Sequence, residues 1–222
     1  MPRTLIERIT PFAKAGGEPQ PRFRGERMRD MVRLLKLPEG ARILDLGGSE
    51  YNWKLIDHPY HITMVNLPGF NAPVSDPAVF DSIEGDATDL SGTFADNAFD
   101  AVFSNSVIEH VGDEAKQAAF AREARRLAPA YWVQTPSPRF PIEAHTGIWF
   151  YWKQPKALRD WTLDRWAKKF PGWVDMLRET RVLSEARMKA LFPDGQLYKE
   201  RKFGLEKSLT MYRPHPGGPK SA

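Results

Sequence analysis

Two short segments of the chain pair a histidine with a glutamate, at Glu109-His110 and at Glu143-Ala144-His145. Histidine changes its charge near neutral pH and often acts as the proton acceptor in catalysis. Each pair is therefore a candidate general base that could remove a proton from a hydroxyl or amine. Each could equally be a structural element held by hydrogen bonds. Because no further ligand motif accompanies them, the sequence predicts no metal site.

A glycine turn, Asp45-Leu46-Gly47-Gly48, ends an apolar run that is typical of a buried strand. Ligands of open α/β sheets lie beyond the carboxyl ends of the strands, where glycine lets the backbone approach them closely. The dinucleotide pattern G-x-G-x-x-G fails after Gly47, and the chain contains no G-x-x-x-x-G-K-[ST] phosphate loop. The carboxylates of Asp45 and Glu50 would repel a phosphate and suit a cationic ligand.

The pattern of apolar runs and turn residues predicts an α/β fold that places these segments at strand ends. Five strands are predicted at 41–47, 61–67, 80–84, 99–104 and 129–135. Two more, at 196–203 and 207–212, are predicted as an antiparallel pair at the sheet edge. Helices are predicted at 25–37, 114–127 and 185–192, with Asp113 and Ser184 as the caps of the last two. The cations of the first helix are predicted to form a solvated face: Arg27, Arg29, Arg33 and Lys36.

Four segments carry a family resemblance: the glycine turn at 45–48, Asp86 after the third strand, the stretch 104–111, and a Pro-rich loop at 135–146. Together they resemble the class I S-adenosylmethionine-dependent methyltransferases, in particular a bacterial small-molecule (type 11-like) group. The resemblance covers about residues 25–213. It implies a Rossmann-like, seven-stranded, mostly parallel sheet with an antiparallel last strand and helices on both faces.

The resemblance also implies S-adenosyl-L-methionine as the cofactor, which carries an ammonium and a sulfonium and no phosphate. The implied cofactor-binding residues are Asp45, Gly47, Gly48, Asn66, Asp86, Ala87, Ser104 and Asn105. In the family, an acidic residue stands where this chain has Asn66, and it faces the ribose of the cofactor. The resemblance implies that the Asp86 carboxylate accepts a hydrogen bond from the adenine amine. Ser104 and Asn105 would contact the methionine part of the cofactor.

The implied catalytic residues are His145 with Glu143, which would face the acceptor, and His110, which would lie near the transferred methyl group. Methyl transfer from a sulfonium is an in-line displacement that depends mainly on positioning. Members of this group often act on small acceptors, including glycan and lipid precursors. The sequence fixes neither the acceptor nor which histidine, if either, is the base.

The resemblance implies a single methyltransferase domain at 25–213. Pro and Gly interruptions predict a flexible arm at 1–24, and polar composition predicts a disordered tail at 214–222. An aromatic helical segment at 141–192 is predicted as an insertion that covers the acceptor. Its most aromatic part, 147–173, has three interpretations: a pocket wall, a core between inserted helices, or a surface for peripheral membrane contact. The first two are favoured.

Composition adds further expectations. The formal charge of +4 does not require a nucleic-acid partner, and the absence of cysteine excludes thiol catalysis and cysteine-based zinc sites. No apolar run reaches the roughly 18 residues of a membrane span, so a soluble, cytoplasmic protein is expected. Two alternatives remain open: a catalytically inactive methyltransferase-fold partner protein, suggested by Ser49 and Asn66, and an RNA methyltransferase. Oligomeric state is not predicted.

Overall fold

The chain folds around one seven-stranded sheet. The computed structural model describes residues 21–217. The strands in this range are Arg42–Leu46 (β1), His61–Asn66 (β2), Phe80–Glu84 (β3), Ala101–Asn105 (β4), Ala130–Pro136 (β5), Gln196–Lys202 (β6) and Leu205–Arg213 (β7). Their order in the sheet is β3-β2-β1-β4-β5-β7-β6. Strands β1 to β5 pair in parallel, whereas β7 runs antiparallel to both of its neighbours. The predicted fold class is therefore confirmed.

Within residues 21–217, one α-helix precedes the first strand and five lie between strands. They are Pro21–Leu35 (α1), Glu50–Trp53 (α2), Glu114–Leu127 (α3), Lys156–Ala167 (α4), Pro171–Glu179 (α5) and Glu185–Leu191 (α6), and a 3₁₀ turn spans Tyr151–Lys153. Both predicted caps form, because the Asp113 side chain accepts from the Lys116 amide and the Ser184 side chain from the Arg187 amide. Helix α1 ends before its predicted end because Lys36 adopts a left-handed conformation, with φ of 54°.

The core lies on both faces of the sheet because successive strand residues point to opposite sides. On one face, Leu44 packs in a cluster with Phe120 of α3 and Met188 of α6. On the other face, Ile43 packs in a cluster with Met28 of α1. All five side chains are at most 1% exposed. The sheet is thus covered by helices on both faces, and its carboxyl edge is left for function.

The prediction of a solvated face on α1 is wrong for Arg27, which is 8% exposed. Its guanidinium contacts Glu200 of β6 at 2.5 Å and donates to Asn105 Oδ1 at 2.5 Å and to Gln134 Oε1 at 3.2 Å. Arg29 and Arg33 are exposed as predicted. A buried arginine is tolerated here because an ionised partner and two amide oxygens meet it.

The aromatic segment after β5 is partly buried and partly exposed. Helices α4 and α5 share a small cluster around Leu163, Trp173 and Leu177, whereas Trp149 and Trp161 are more than half exposed. Among the described helices, none combines the length and apolar composition needed to cross a membrane. The predicted arm and tail fall largely outside the described residues, which exclude 1–20 and 218–222.

Candidate active site

The glycine turn after β1 packs against the loop that follows β4. Gly47 has a φ of +75°, and a Cβ added there would lie 2.6 Å from Val107 Cγ2. The Gly47 amide donates to Val65 O at 2.8 Å, which ties the turn to β2. Val107 O accepts from the His110 amide at 2.8 Å. The predicted cofactor turn and the first predicted histidine therefore lie in adjoining loops at the carboxyl edge of the sheet.

The Asp45 carboxylate lies beneath Gly48 and has no exposure to solvent. A Cβ on Gly48 would lie 1.9 Å from Asp45 Oδ2, so a residue with a side chain does not fit there. The Trp53 indole donates to Oδ2 at 2.8 Å, whereas Oδ1 is buried without a hydrogen-bond partner among residues 21–217. Burial raises the pKa of Asp45 to about 7, although the Trp53 hydrogen bond opposes the shift. A cation near this turn would offset the cost of the buried charge.

Asn66 and Asp86 stand at the ends of β2 and β3. Asn66 Nδ2 donates to Gly48 O at 3.1 Å, so this side chain braces the glycine turn. Asp86 accepts from the Thr88 amide at 2.8 Å, and Lys116 Nζ lies 3.3 Å from its other oxygen. Partial burial acts to raise the pKa of Asp86, but the hydrogen bonds from Thr88 and Lys116 outweigh it and lower the pKa. Asp86 is therefore an ionised, half-exposed carboxylate at this edge.

Ala87, Ser104 and Asn105 complete the predicted cofactor residues. Ala87 is half-buried and packs against the core beside Asp86. Ser104 is fully buried and donates its hydroxyl to Leu46 O at 3.0 Å, within the sheet. The Asn105 side chain accepts from Arg27 at 2.5 Å. The hydroxyl of Ser104 and the carbonyl of Asn105 are thus both engaged within the protein.

A chain of hydrogen bonds joins the two predicted histidines. Glu143 Oε1 lies 2.7 Å from His145 Nδ1, and Glu143 Oε2 accepts from the backbone amides of His145 and Thr146. His145 Nε2 lies 3.0 Å from His110 Nε2, and His110 Nδ1 lies 3.2 Å from Thr180 Oγ1. The structure therefore unites His110, His145 and Glu143, which the sequence had offered as two separate pairs.

Glu109 also belongs to this cluster, although its side chain is entirely buried. Its Oε2 accepts from Thr135 Oγ1 at 3.0 Å, whereas Oε1 has no hydrogen-bond partner in the described part of the chain. Oε1 lies 3.9 Å from His110 Nε2. One ligand atom each from Glu109, His110 and His145 lies within 4.8 Å of the others. Burial raises the pKa of Glu109 to about 7, against the opposing charge of His145.

The two histidines differ in their tendency to hold a proton. Burial and the neighbouring His145 lower the pKa of His110 to about 3. Burial acts in the same direction on His145, but the hydrogen bond and charge of Glu143 outweigh it and raise the His145 pKa. Burial alone would raise the pKa of Glu143, whereas its hydrogen bond with His145 lowers it. When the pair holds one proton, His145 is the favoured site.

Two threonines of the cluster were not predicted as site residues. Thr180 follows the end of α5 and belongs to no residue pattern that indicates chemistry. Thr135, in β5, begins the Pro-rich loop at 135–146, but its contact with Glu109 has no signal along the chain. A main-chain hydrogen bond holds the end of α5 against the turn that carries Glu109, since the Arg181 amide donates to Glu109 O at 2.7 Å. Glu109 itself was noted as the neighbour of His110, but its buried, unpaired oxygen could be recognised only in three dimensions.

Part of the chain matches a known protein family. A family model described as a methyltransferase domain matches residues 56–130. No curated protein sequence matches the chain. The matched region runs from within the loop after α2 to the start of β5, and so includes Asn66, Asp86 and the His110 loop.

Solved structures share the fold at low sequence identity. One is a protein designated a methyltransferase of an antibiotic biosynthesis pathway in Anabaena variabilis, with a TM-score of 0.53 and 19% identity. The match covers 79% of this chain and 64% of that protein. Another belongs to a Haloferax volcanii complex between the Trm112 methyltransferase activator and its methyltransferase candidate, with a TM-score of 0.53 and 13% identity over 97% of this chain and 100% of that chain. A third is the N-terminal domain of EvdMO1, solved with SAH and D-fucose, with a TM-score of 0.55 and 15% identity over 90% of this chain and 84% of that chain.

These identities show a common fold, and the family model adds a methyltransferase domain within it. The seven-stranded sheet, mostly parallel with an antiparallel β7, is the one that the sequence resemblance implied. The chain therefore shares the fold of these methyltransferase structures, and its residues 56–130 are similar to a methyltransferase domain.

Proposed function

We propose that this chain transfers a methyl group from S-adenosyl-L-methionine to a small-molecule acceptor, such as a glycan or lipid precursor with a hydroxyl or amine. The observation that carries the proposal is the Gly47-Gly48 turn packed over the buried Asp45 carboxylate. When bound, the cofactor supplies an electrophilic methyl group on a sulfonium. The chain's own residues hold the cofactor, align the acceptor for in-line displacement and receive its proton.

The residues around the glycine turn fit a cationic cofactor. The Asp45 Oδ1 atom has no hydrogen-bond partner within residues 21–217, so a nearby ammonium would stabilise its ionised form. Asn66, held by Gly48 O, keeps its carbonyl oxygen for a ribose hydroxyl. Asp86 is 47% exposed and keeps lone pairs for the adenine amine. The carboxylates make this edge unsuited to a dinucleotide pyrophosphate.

For the acceptor's proton we propose the histidine pair as the base, with Glu143 as the group that orients His145. Because Glu143 lies 2.7 Å from His145 Nδ1, a neutral His145 presents its lone pair at Nε2. The acceptor loses its proton to Nε2 of His145 or of His110 as its oxygen or nitrogen bonds to the methyl carbon. The bound cofactor would supply the methyl group, and its sulfur would keep the electron pair of the broken bond.

Neither alternative function is favoured. The inactive partner protein was suggested by Asn66, yet this side chain supports the glycine turn through Gly48 O. The RNA methyltransferase would use the cations of 153–169, but Lys156 is paired with Asp160 and Arg159 lies over Tyr151. RNA binding that weakens steeply with salt would revive that alternative, since phosphate contacts release counterions.

The test is calorimetric titration of the chain with S-adenosyl-L-methionine and, in parallel, with NAD. We expect saturable binding of the first alone. Asp86→Ala should weaken it about tenfold, the loss of a hydrogen bond to a charged group. Asp89→Ala is the matched control, because Asp89 is an exposed carboxylate of the same turn. A folded chain that binds NAD, or neither compound, would overturn the proposal. Cofactor binding without turnover across an acceptor screen would favour the inactive partner protein.

We also propose that the exposed aromatic side chains of the segment after β5, Trp149, Phe150 and Trp161, contact a membrane that carries a lipid-linked acceptor. These side chains are 61%, 50% and 56% exposed, and Arg165 lies over the Trp161 ring. Aromatic side chains beside cations favour the membrane interface. Sedimentation with anionic vesicles should fall for Trp149→Ala and Trp161→Ala and not for Phe203→Ala, a control that is 88% exposed on the β6–β7 turn. Equal binding by all three variants would contradict it.

A further inference from the structure

The two imidazoles at the candidate site direct lone pairs toward each other. The Thr180 hydroxyl donates its single proton to Met176 O at 2.8 Å, so it can only accept from His110 Nδ1. Glu143 accepts from two backbone amides as well as from His145 Nδ1, as an ionised carboxylate does. Both neutral histidines therefore carry their proton on Nδ1. Their Nε2 lone pairs then face each other across 3.0 Å, a repulsion that either a shared proton or a metal ion between them would relieve.

Glu109 supplies a third electron pair to the same point. Its Oε1 is buried, has no hydrogen-bond partner in the described residues, and lies 3.9 Å from His110 Nε2. A carboxylate oxygen in a fully buried position is costly unless it meets a donor or a cation. The three ligand atoms of Glu109, His110 and His145 all lie within 4.8 Å of one another. A single ion at their centre would satisfy all of them.

Each of these three side chains is also fixed at the atom that would not bind an ion. Glu143 holds His145 Nδ1, Thr180 holds His110 Nδ1, and Thr135 donates to Glu109 Oε2 at 3.0 Å. Supporting hydrogen bonds of this kind orient the ligands of metal sites, and a carboxylate behind a histidine is a recurring form.

We propose that Glu109, His110 and His145 bind one divalent transition-metal ion of the first row. Two imidazoles and one carboxylate suit Zn²⁺, Co²⁺ or Mn²⁺ better than Mg²⁺ or Ca²⁺, which prefer oxygen ligands alone. Three protein ligands leave at least one coordination position for a small oxygen ligand. The proposal goes beyond methyl transfer and does not depend on it, since it needs neither the cofactor nor an acceptor.

The two histidine nitrogens already have nearly the spacing of zinc ligands. Tetrahedral zinc with bonds of about 2.0–2.1 Å places two imidazole nitrogens about 3.3 Å apart, close to the observed 3.0 Å. The Glu109 carboxylate must move closer, because the ligand atoms are up to 4.8 Å apart. It lies in the turn after β4 rather than within a strand. A sequence search misses this set because His145 is 35 residues from His110 and comes from another loop.

The test uses the full-length chain without a polyhistidine tag, stripped with chelator and titrated with ZnCl₂ by calorimetry. Co²⁺ absorption in the visible range reports the ligand set independently, and MgCl₂ serves as a comparison. The variants are His145→Asn, Glu109→Gln and Thr180→Val. The control is His61→Asn, because His61 is an exposed histidine on β2. Circular dichroism checks that each variant folds.

We expect one Zn²⁺ per chain, with micromolar or tighter affinity and with Mg²⁺ binding at least 100-fold weaker. Glu109→Gln and Thr180→Val should weaken Zn²⁺ binding about 10-fold to 100-fold, His145→Asn should abolish it, and His61→Asn should not change it. If His145→Asn fails to fold, the two conservative variants decide. If the parent chain shows no saturable binding of Zn²⁺ or Co²⁺, the proposal is overturned and the two histidines share a proton instead. Unaltered Zn²⁺ binding by Glu109→Gln and Thr180→Val would also overturn it.

Discussion

His110 Nε2 lies 3.0 Å from His145 Nε2, so the acceptor's proton and a metal ion would compete for the same lone pairs. We therefore expect saturating Zn²⁺ to lower the initial rate of methyl transfer at least tenfold and EDTA to restore it. The measurement is transfer of labelled methyl from S-adenosyl-L-methionine to whichever acceptor the screen identifies, with His61→Asn giving the same inhibition as the parent chain.

The opposite result is equally informative. If methyl transfer requires Zn²⁺ or Co²⁺, the histidine pair is not the base. The metal would then bind the acceptor oxygen and promote the loss of its proton. The metal site itself would then stand, because its own test depends on binding alone.

Gly48 has no room for a side chain, because a Cβ would lie 1.9 Å from Asp45 Oδ2. We expect Gly48→Ala to lower the free energy of unfolding by about 2 kcal/mol, the cost of overpacking a filled site, and to weaken cofactor binding with it. Gly92→Ala is the matched control, since nothing lies within 4 Å of a Cβ there; it should stay within about 0.5 kcal/mol of the parent. Urea unfolding measures both. Equal stabilities of the two variants would contradict the packing of the turn.

The buried Asp45 predicts a pH dependence of stability. Its pKa is about 7 in the folded chain and 3.8 in the reference state. Between these values the folded state holds a proton that the unfolded state has released, so stability falls as the pH rises through this interval. The full contribution is at most about 4 kcal/mol. Asp45→Asn cannot ionise, so its free energy of unfolding should fall less than the parent's between about pH 4 and about pH 7. Parallel pH profiles would refute this assignment.

The buried Arg27–Glu200 pair predicts a strong asymmetry. Glu200→Gln leaves the guanidinium uncompensated and should cost about 3 kcal/mol, because Arg27 is 8% and Glu200 12% exposed. The double variant Arg27→Met, Glu200→Gln should cost less than the sum of the two single variants. Lys156→Ala breaks an exposed pair with Asp160 and should cost less than about 0.5 kcal/mol. Additive losses in the double variant would mean that the pair is not coupled.

Local patterns in the sequence predicted most of the fold. The glycine turn after β1, the Asp113 and Ser184 caps and the strand positions depend on interactions within a few residues, so they can be recognised along the chain. Boundaries shifted where a single backbone conformation decided them, as at Lys36. The burial of Arg27 could not be recognised, because its partner Glu200 is 173 residues away.

The sequence by itself determined the sheet, the turn and the residue types that could bind a cofactor or move a proton, because periodicity, glycine and capping act locally. Only the tertiary structure decided how they combine. The order of β1, β4 and β5 brings the loops after β4 and β5 together, so His110 and His145 meet as one pair. The end of α5 then brings Thr180 to His110, a contact across 70 residues. Such contacts depend on how distant elements pack, and no residue pattern along the chain encodes that directly.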